Sequence, residues 1–105
     1  MPETVSVVKG FEPVLQAAAR LQILAVLVQA QQAEFARLKE LTGCSDSVMS
    51  KHLATLVDAG LIRLKKTVEG GRQRTWASVT RSGRVVFRDH VAALQRIVSG
   101  GVDPA

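Results

Sequence analysis

Hydrophobic positions along this chain repeat at helical spacing in several stretches and change to an extended pattern in one. Glu12-Pro13 opens the helical part, proline being suited to a first helical position. Val14, Leu15, Ala17, Ala18 and Ala19 predict a short helix, and Leu21, Ile23, Leu24, Leu27 and Val28 predict a nearly all-apolar one that has to be well buried. Together they occupy residues 12–31, continuous or kinked near Arg20. Gln29 to Gln32 reads as a polar break, and Ala33-Glu34-Phe35 as a very short extended piece. A helix from Ala36 to Thr42 is expected to bury Phe35, Leu38 and Leu41 and to show Arg37, Lys39 and Glu40 to solvent.

Gly43 turns the chain, Ser45 offers an N-cap oxygen and Asp46 a first-turn acid, so a new helix starts within a few residues of the last. Met49, Leu53, Leu56 and Val57 form its inward stripe, and Gly60 ends it. Two short helices joined so tightly make a helix-turn-helix over residues 35–60, whose second helix is the one that enters a DNA groove. The period then changes. Leu61, Ile62, Leu64 and Val68 lie in an extended stretch, Glu69-Gly70-Gly71-Arg72 is a hairpin turn, and Thr75 to Val79 a β-prone return strand, giving a hairpin over 61–79. Thr80 is the expected cap of a last helix over 81–99, which Gly100-Gly101 ends. Residues 1–10, β-leaning from Thr4 to Val8, are left as an arm, and Val102 to Ala105 as a loose tail. The fold class is mainly α with a small β-hairpin, an α+β single domain over 1–105.

The 105 residues are 47% hydrophobic and 22% charged, an ordinary globular composition. Charge changes the picture more. The net +5 is uneven: Arg63 to Arg88 holds eight basic residues against one acid, a net +7, and the remainder sums to −2. A polyanionic partner is implied, met by one segment.

Cys44 is the only cysteine, so no internal disulfide forms and a reducing, cytoplasmic location is expected. The N-terminus lacks the pattern of an export signal, and the longest apolar run, Ile23 to Val28, is too short to span a bilayer, so no membrane partner is expected. No glycine-rich phosphate loop, nucleophile elbow or paired-carboxylate site points to an enzyme.

The outer face of the 45–60 helix carries Ser47, Lys51, Ala54 and Asp58, flanked by Val48, Ser50 and Thr55. Small side chains with a few donors suit close approach to the floor of a major groove; a small solvated face is the plain alternative. The hairpin that follows carries Lys65, Lys66, Arg72 and Arg74 near a Gly-Gly tip, suited to a phosphate backbone or a narrow minor groove. A basic hairpin alone is often just solvated. Directly behind a helix-turn-helix, it becomes a second contact at a fixed distance from the first, and DNA binding becomes the better reading.

Phe35-x-x-Leu38 with Leu41, then Ser45-Asp46-Ser47-x-Met49-Ser50-x-His52-Leu53-x-x-Leu56-x-x-Ala59-Gly60-Leu61-Ile62, then Thr75-Trp76 and Val79-Thr80-x-x-Gly83-Arg84 resemble the winged-helix transcriptional regulators of the MarR and ArsR type. The likeness covers about residues 20 to 95. It implies a winged helix-turn-helix fold and a cytoplasmic, nucleoid-associated homodimer that binds a pseudo-palindromic double-stranded operator. It implies that Ser47, Val48, Ser50, Lys51 and Thr55 lie in the major groove and that Arg72 and Arg74 sit at the wing; on such a helix Val48 or Ala54 is available to a thymine methyl. It implies no particular effector and no cofactor.

On the last helix Val86, Phe87, His90, Val91, Leu94, Ile97 and Val98 span an arc of about 140°, wider than one small core needs. A second copy is the simplest cover for the excess. His90 is expected to be packed or at that interface rather than a ligand. His52, on the flank of the buried face, is expected to tie its helix to the core by a hydrogen bond. Trp76 is expected to pack the wing onto the body. For Cys44 a small buried filler is favoured over an oxidisable sensor. One cysteine and two distant histidines do not make a closed four-ligand metal site, and Asp89-His90 is only a fragment of one. The competing function is a winged-helix module that binds protein through its last helix and no particular DNA sequence.

Overall fold

A computed structural model describes residues 8–100. The expected β-leaning segment before Val8 and the tail from Val102 lie outside the described residues. A 3-10 turn, Pro13–Gln16, comes first, with the Glu12 carboxylate accepting from the Val14 amide at 3.0 Å. Helix α1 spans Ala18–Ala30, strand β1 Gln32–Glu34, helix α2 Phe35–Thr42, helix α3 Asp46–Asp58, strands β2 and β3 Ile62–Glu69 and Arg72–Val79, and helix α4 Arg81–Val98.

The break between the first two helical pieces falls at Ala17, whose ψ of 125° is extended, and Arg20 lies inside α1. The apolar character of α1 is used on several sides. Ile23, Leu24 and Leu27 are fully buried, while Leu21, Val26 and Val28 pack on the same core. The helix stops at Gln31, whose φ of 73° is unusual for a residue other than glycine. Its amide still reaches the Leu27 carbonyl at 2.8 Å, and its carbonyl accepts from the Val79 amide at 3.2 Å. The end of α1 is thereby fastened to the sheet.

The sheet is antiparallel with strand order β1-β3-β2. Glu69 pairs with Arg72, which leaves a two-residue loop in which Gly70 and Gly71 have φ of 58° and 80°. Such a turn needs positive φ at both positions and matches the twist of the strands, so Gly-Gly sets the hairpin register. Strand β3 begins at Arg72, three residues before the expected start, because the ladder runs unbroken to the tip. Directly opposed residues share a face of the sheet. Ile62, Leu64, Ala77, Val79 and Ala33 therefore face the body, and Arg63, Lys65, Arg74, Trp76 and Glu34 face away.

Leu15, Ile23, Leu24, Leu27, Leu38, Met49, Leu53, Leu56, Leu61, Ile62 and Ala77 make the core. Each fully buried leucine or isoleucine contributes about 1.5–3 kcal/mol relative to exposure. Two expected core residues are not in it: Leu41 and Val57 are 37% and 36% exposed. Each sits in the last turn of its helix, where the chain is already leaving the core. Among the described residues no helix is long and apolar enough to cross a membrane.

Candidate nucleic-acid interface

Helix α3 is held at both ends and along its inner side. Ser45 Oγ accepts from the Val48 amide at 3.3 Å, a cap worth about 1 kcal/mol. Lys39 of α2 pairs with Asp46 across the turn, so the two helices of the motif are joined by charge as well as by Gly43. Met49, Leu53 and Leu56 are buried. At the far end the Thr80 hydroxyl donates to the Gly60 carbonyl at 2.7 Å and its amide to the Leu61 carbonyl at 3.0 Å. The same hydroxyl oxygen accepts from the Gly83 amide at 2.9 Å, capping α4.

With that side fixed, the opposite face of α3 points outward. Ser47, Val48, Ser50, Lys51 and Ala54 are exposed, Val48 at 42%. Thr55 differs from its expected role, being half-buried with a hydroxyl that already donates to the Lys51 carbonyl at 3.0 Å.

His52 is tied to α1 as expected. Arg20 Nη1 lies 3.2 Å from His52 Nδ1, and Arg20 Nε also donates to the Val14 carbonyl. Burial, helped by the Arg20 charge, pushes the His52 pKa below its ordinary value, so the neutral ring is favoured and Nδ1 can accept. In the sequence Arg20 marks only the place of a kink. A lone cation between apolar runs was the available signal, since such a charge needs a partner.

The four candidate wing cations do not act as one cluster. Lys65, Lys66 and Arg72 are exposed, with Lys65 opposite Trp76 on the face away from the body and Lys66 opposite Thr75 on the other face. Arg74 is committed within the chain: its Nη1 donates to both Glu34 oxygens at 2.9 Å. Trp76 does not pack the wing onto the core. It lies on the outer face, half-buried, and its Nε1 donates to Thr67 Oγ1 at 3.2 Å. The reason is register, because Ala77 takes the inward position and its neighbour must point out.

The arc on α4 divides. Val86 and Phe87 pack on the chain's own core, and Val91 and Leu94 are half-buried. His90 is 1% exposed, so of its two expected roles it takes the packed one and not the place at an interface with a second chain. Its Nδ1 accepts from the Glu12 amide at 2.9 Å, and its ring packs against Phe11 at a 45° tilt, 4.8 Å between centroids. Burial lowers its pKa, and the Glu12 charge opposes this. Residues 9–12 therefore lie along α4, with Arg96 also donating to the Lys9 carbonyl. What remains uncovered is the end of the helix, where Ile97 and Val98 are 42% and 84% exposed.

Cys44 is half-buried against the core, and its amide donates to Thr42 Oγ1 at 3.2 Å. Among the described residues no three His, Cys, Asp or Glu side chains gather where they could hold a metal ion.

This arrangement has solved counterparts. A transcriptional regulator homologue from Pyrococcus horikoshii superposes with a TM-score of 0.77 at 22% identity, over 83% of this chain and 86% of that one. A ZitR mutant from Lactococcus lactis, solved in complex with DNA, gives 0.63 at 22% identity, over 92% of this chain and 65% of that one. At the sequence level, an uncharacterized protein of Methanocaldococcus jannaschii is 36% identical over 72 residues, which are 69% of this chain and 78% of that protein. The family model described as a winged helix DNA-binding domain matches residues 19–98, from the start of α1 to the end of α4. With the two-helix motif, the hairpin wing and this match in agreement, the chain belongs to the winged helix DNA-binding domain family.

Proposed function

We propose that the chain is a homodimeric transcriptional regulator that binds double-stranded DNA by sequence, at the nucleoid. The exposed face of α3 carries the reading. It is small and hydroxyl-bearing, its one cation, Lys51, has no ion pair among the described residues, and its helix is anchored at both ends, so it can approach a groove without rearranging. Ser47, Ser50 and Lys51 would meet base edges, with Val48, Ala54 or the Thr55 methyl against a thymine methyl. Lys65, Lys66 and Arg72 would meet phosphates or the minor groove. The DNA complex of ZitR, a protein of the same fold, supports the reading by likeness.

The second copy is proposed to cover Val91, Leu94, Ile97 and Val98. These four continue one side of α4 past the point where the chain's own body ends, and a twofold pair of wings and helices suits a palindromic site.

Selection of bound sites from a random duplex library tests both parts. The expected result is a recovered motif with two related half-sites centred about 10–10.5 bp, or a multiple, apart. Recovery of no motif, with equal gel shifts on all duplexes at moderate salt, overturns sequence reading and favours the protein-binding module. Sedimentation of the wild type and of Leu94→Asp tests the pairing, and a wild-type monomer at micromolar concentration overturns it.

A further inference from the structure

The wing leaves the body where the sheet narrows from three strands to two. Strand β1 pairs with β3 only from Gln32 with Ser78 to Glu34 with Trp76. Towards the tip, β3 has β2 alone beside it, and a two-stranded hairpin has little stability of its own. Arg74 is the first residue past that point on the Trp76 face, and it reaches back to hold both oxygens of Glu34. The pair spans the narrowing.

Its surroundings extend the connection outward. Arg74 stands opposite Thr67, which accepts from Trp76 Nε1 and donates to Glu69 Oε2 at 3.0 Å. Glu69 Oε1 lies 3.7 Å from Arg74 Nε, an ion pair too long for a hydrogen bond. That Nε is buried and has no hydrogen-bond partner among the described residues. The Arg74 and Glu34 side chains are 34% and 25% exposed, so water screens the pair less than it would on an open surface.

We infer that Glu34 and Arg74 are positioning residues for the wing, setting the angle at which the hairpin meets DNA; this rests on the DNA-binding reading above. Arg74 is a poor phosphate ligand where it stands. Two carboxylates, Glu34 and Glu69, face its single charge, so an approaching phosphate meets a net negative group. Besides Arg63 at the base of the hairpin, the exposed cations left to the backbone are Lys65, Lys66 and Arg72, and the Glu34–Arg74 pair decides where they point. Sequence separation hid it, for Glu34 and Arg74 are forty residues apart and look like an ordinary strand acid and an ordinary wing base.

The sign of one substitution separates positioning from its rivals. Glu34→Gln removes a negative charge close to the wing. If Glu34 were a bystander, binding would tighten. As a positioning residue its loss weakens binding by about five-fold, equivalent to one good ion pair. The slope of log affinity against log salt stays unchanged, because no phosphate contact is removed. Arg74→Gln should match it in size and also keep the slope, whereas a phosphate ligand would lose about 0.9 from it. The exchanged pair, Glu34→Arg with Arg74→Glu, should recover most of the loss. Tighter binding by Glu34→Gln, or a reduced slope for Arg74→Gln, overturns the inference.

Hydrogen exchange on the free protein decides the clamp without DNA. In Glu34→Gln the amides of Leu64 to Thr67 and of Arg74 should exchange faster, with those of Leu24 and Leu56 unchanged. Unchanged wing exchange overturns the clamp. A wild type that shifts no duplex while the wing exchange responds overturns only the DNA-binding reading.

Discussion

Arg20 of α1 and His52 of α3 meet at 3.2 Å, between Nη1 and Nδ1, and the contact links the first helix to the one with the exposed hydroxyl face. Arg20 also holds the Val14 carbonyl inside the 3-10 turn, so one guanidinium joins three segments. Replacing it with methionine keeps the aliphatic stem and removes the donors. Arg20→Met should lower stability by about 1–3 kcal/mol, the cost of leaving partly buried acceptors unmet, read as a shift of the urea midpoint at unchanged slope. A midpoint within error of wild type would mean that water replaces the guanidinium at no cost.

Both histidines give the protein an acid-sensitive side. Burial lowers the pKa of both below the ordinary 6.5, helped at His52 by the Arg20 charge and opposed at His90 by the Glu12 charge, and the neutral rings leave His90 Nδ1 to accept from the Glu12 amide and His52 Nδ1 to face Arg20. A depressed histidine pKa means that the unfolded chain binds the proton more readily. The stability contributed is therefore complete above about pH 6.5 and is lost as pH falls through the folded value. The thermal midpoint should fall from pH 7.5 to 5.0. His90→Asn, which keeps an acceptor near Nδ1 and cannot titrate, should fall less. An equal fall in both proteins would assign the acid sensitivity to other groups.

The parts legible in the sequence are those set by local chemistry. Ser45 and Thr80 cap the helices they were expected to cap, Gly70-Gly71 makes the hairpin loop, and the period of Met49, Leu53 and Leu56 gives the buried side of α3. The parts not legible there depend on where an element ends relative to the core. Leu41 and Val57 continue a good periodic stripe past the last layer that can cover it. Ala17, which no helix former rule marks, carries the break expected near Arg20.

Long-range pairing was the other blind spot. His90 fits an interface arc on a wheel, yet Phe11 and Glu12, 78 positions away in the second case, close over it. Trp76 reads as a core aromatic until the register gives Ala77 the inward place. Periodicity orders residues around one element. It says nothing of which neighbour arrives first.

Gly83 packs against the Leu61 carbonyl so closely that a β-carbon there would lie 2.2 Å from the oxygen. It would also lie 2.9 Å from Val79 Cγ2, and Leu61 is itself tied to Thr80, so the backbone cannot step aside cheaply. An alanine helps an exposed helix, by about 0.5–1 kcal/mol over glycine. Here the clash should win: Gly83→Ala is expected to destabilise by about 1–3 kcal/mol or more. The decisive measurement is the sign of the change in urea midpoint, with stabilisation contradicting the packing.

The division of labour between α3 and the wing gives a last prediction. Lys51 is the one cation on the outer face of α3, while Arg72 stands exposed beside the Gly-Gly tip. A base-edge contact discriminates between sequences; a phosphate contact acts at any sequence. Lys51→Ala should therefore cost about 1–3 kcal/mol on the selected site and little on random duplex, relaxing preference at one base pair. Arg72→Ala should weaken both duplexes alike and reduce the salt slope by about 0.9. Affinities of both variants on both duplexes, at several salt concentrations, complete the comparison. Equal losses from the two substitutions on cognate and random DNA would mean that α3 supplies charge and no reading.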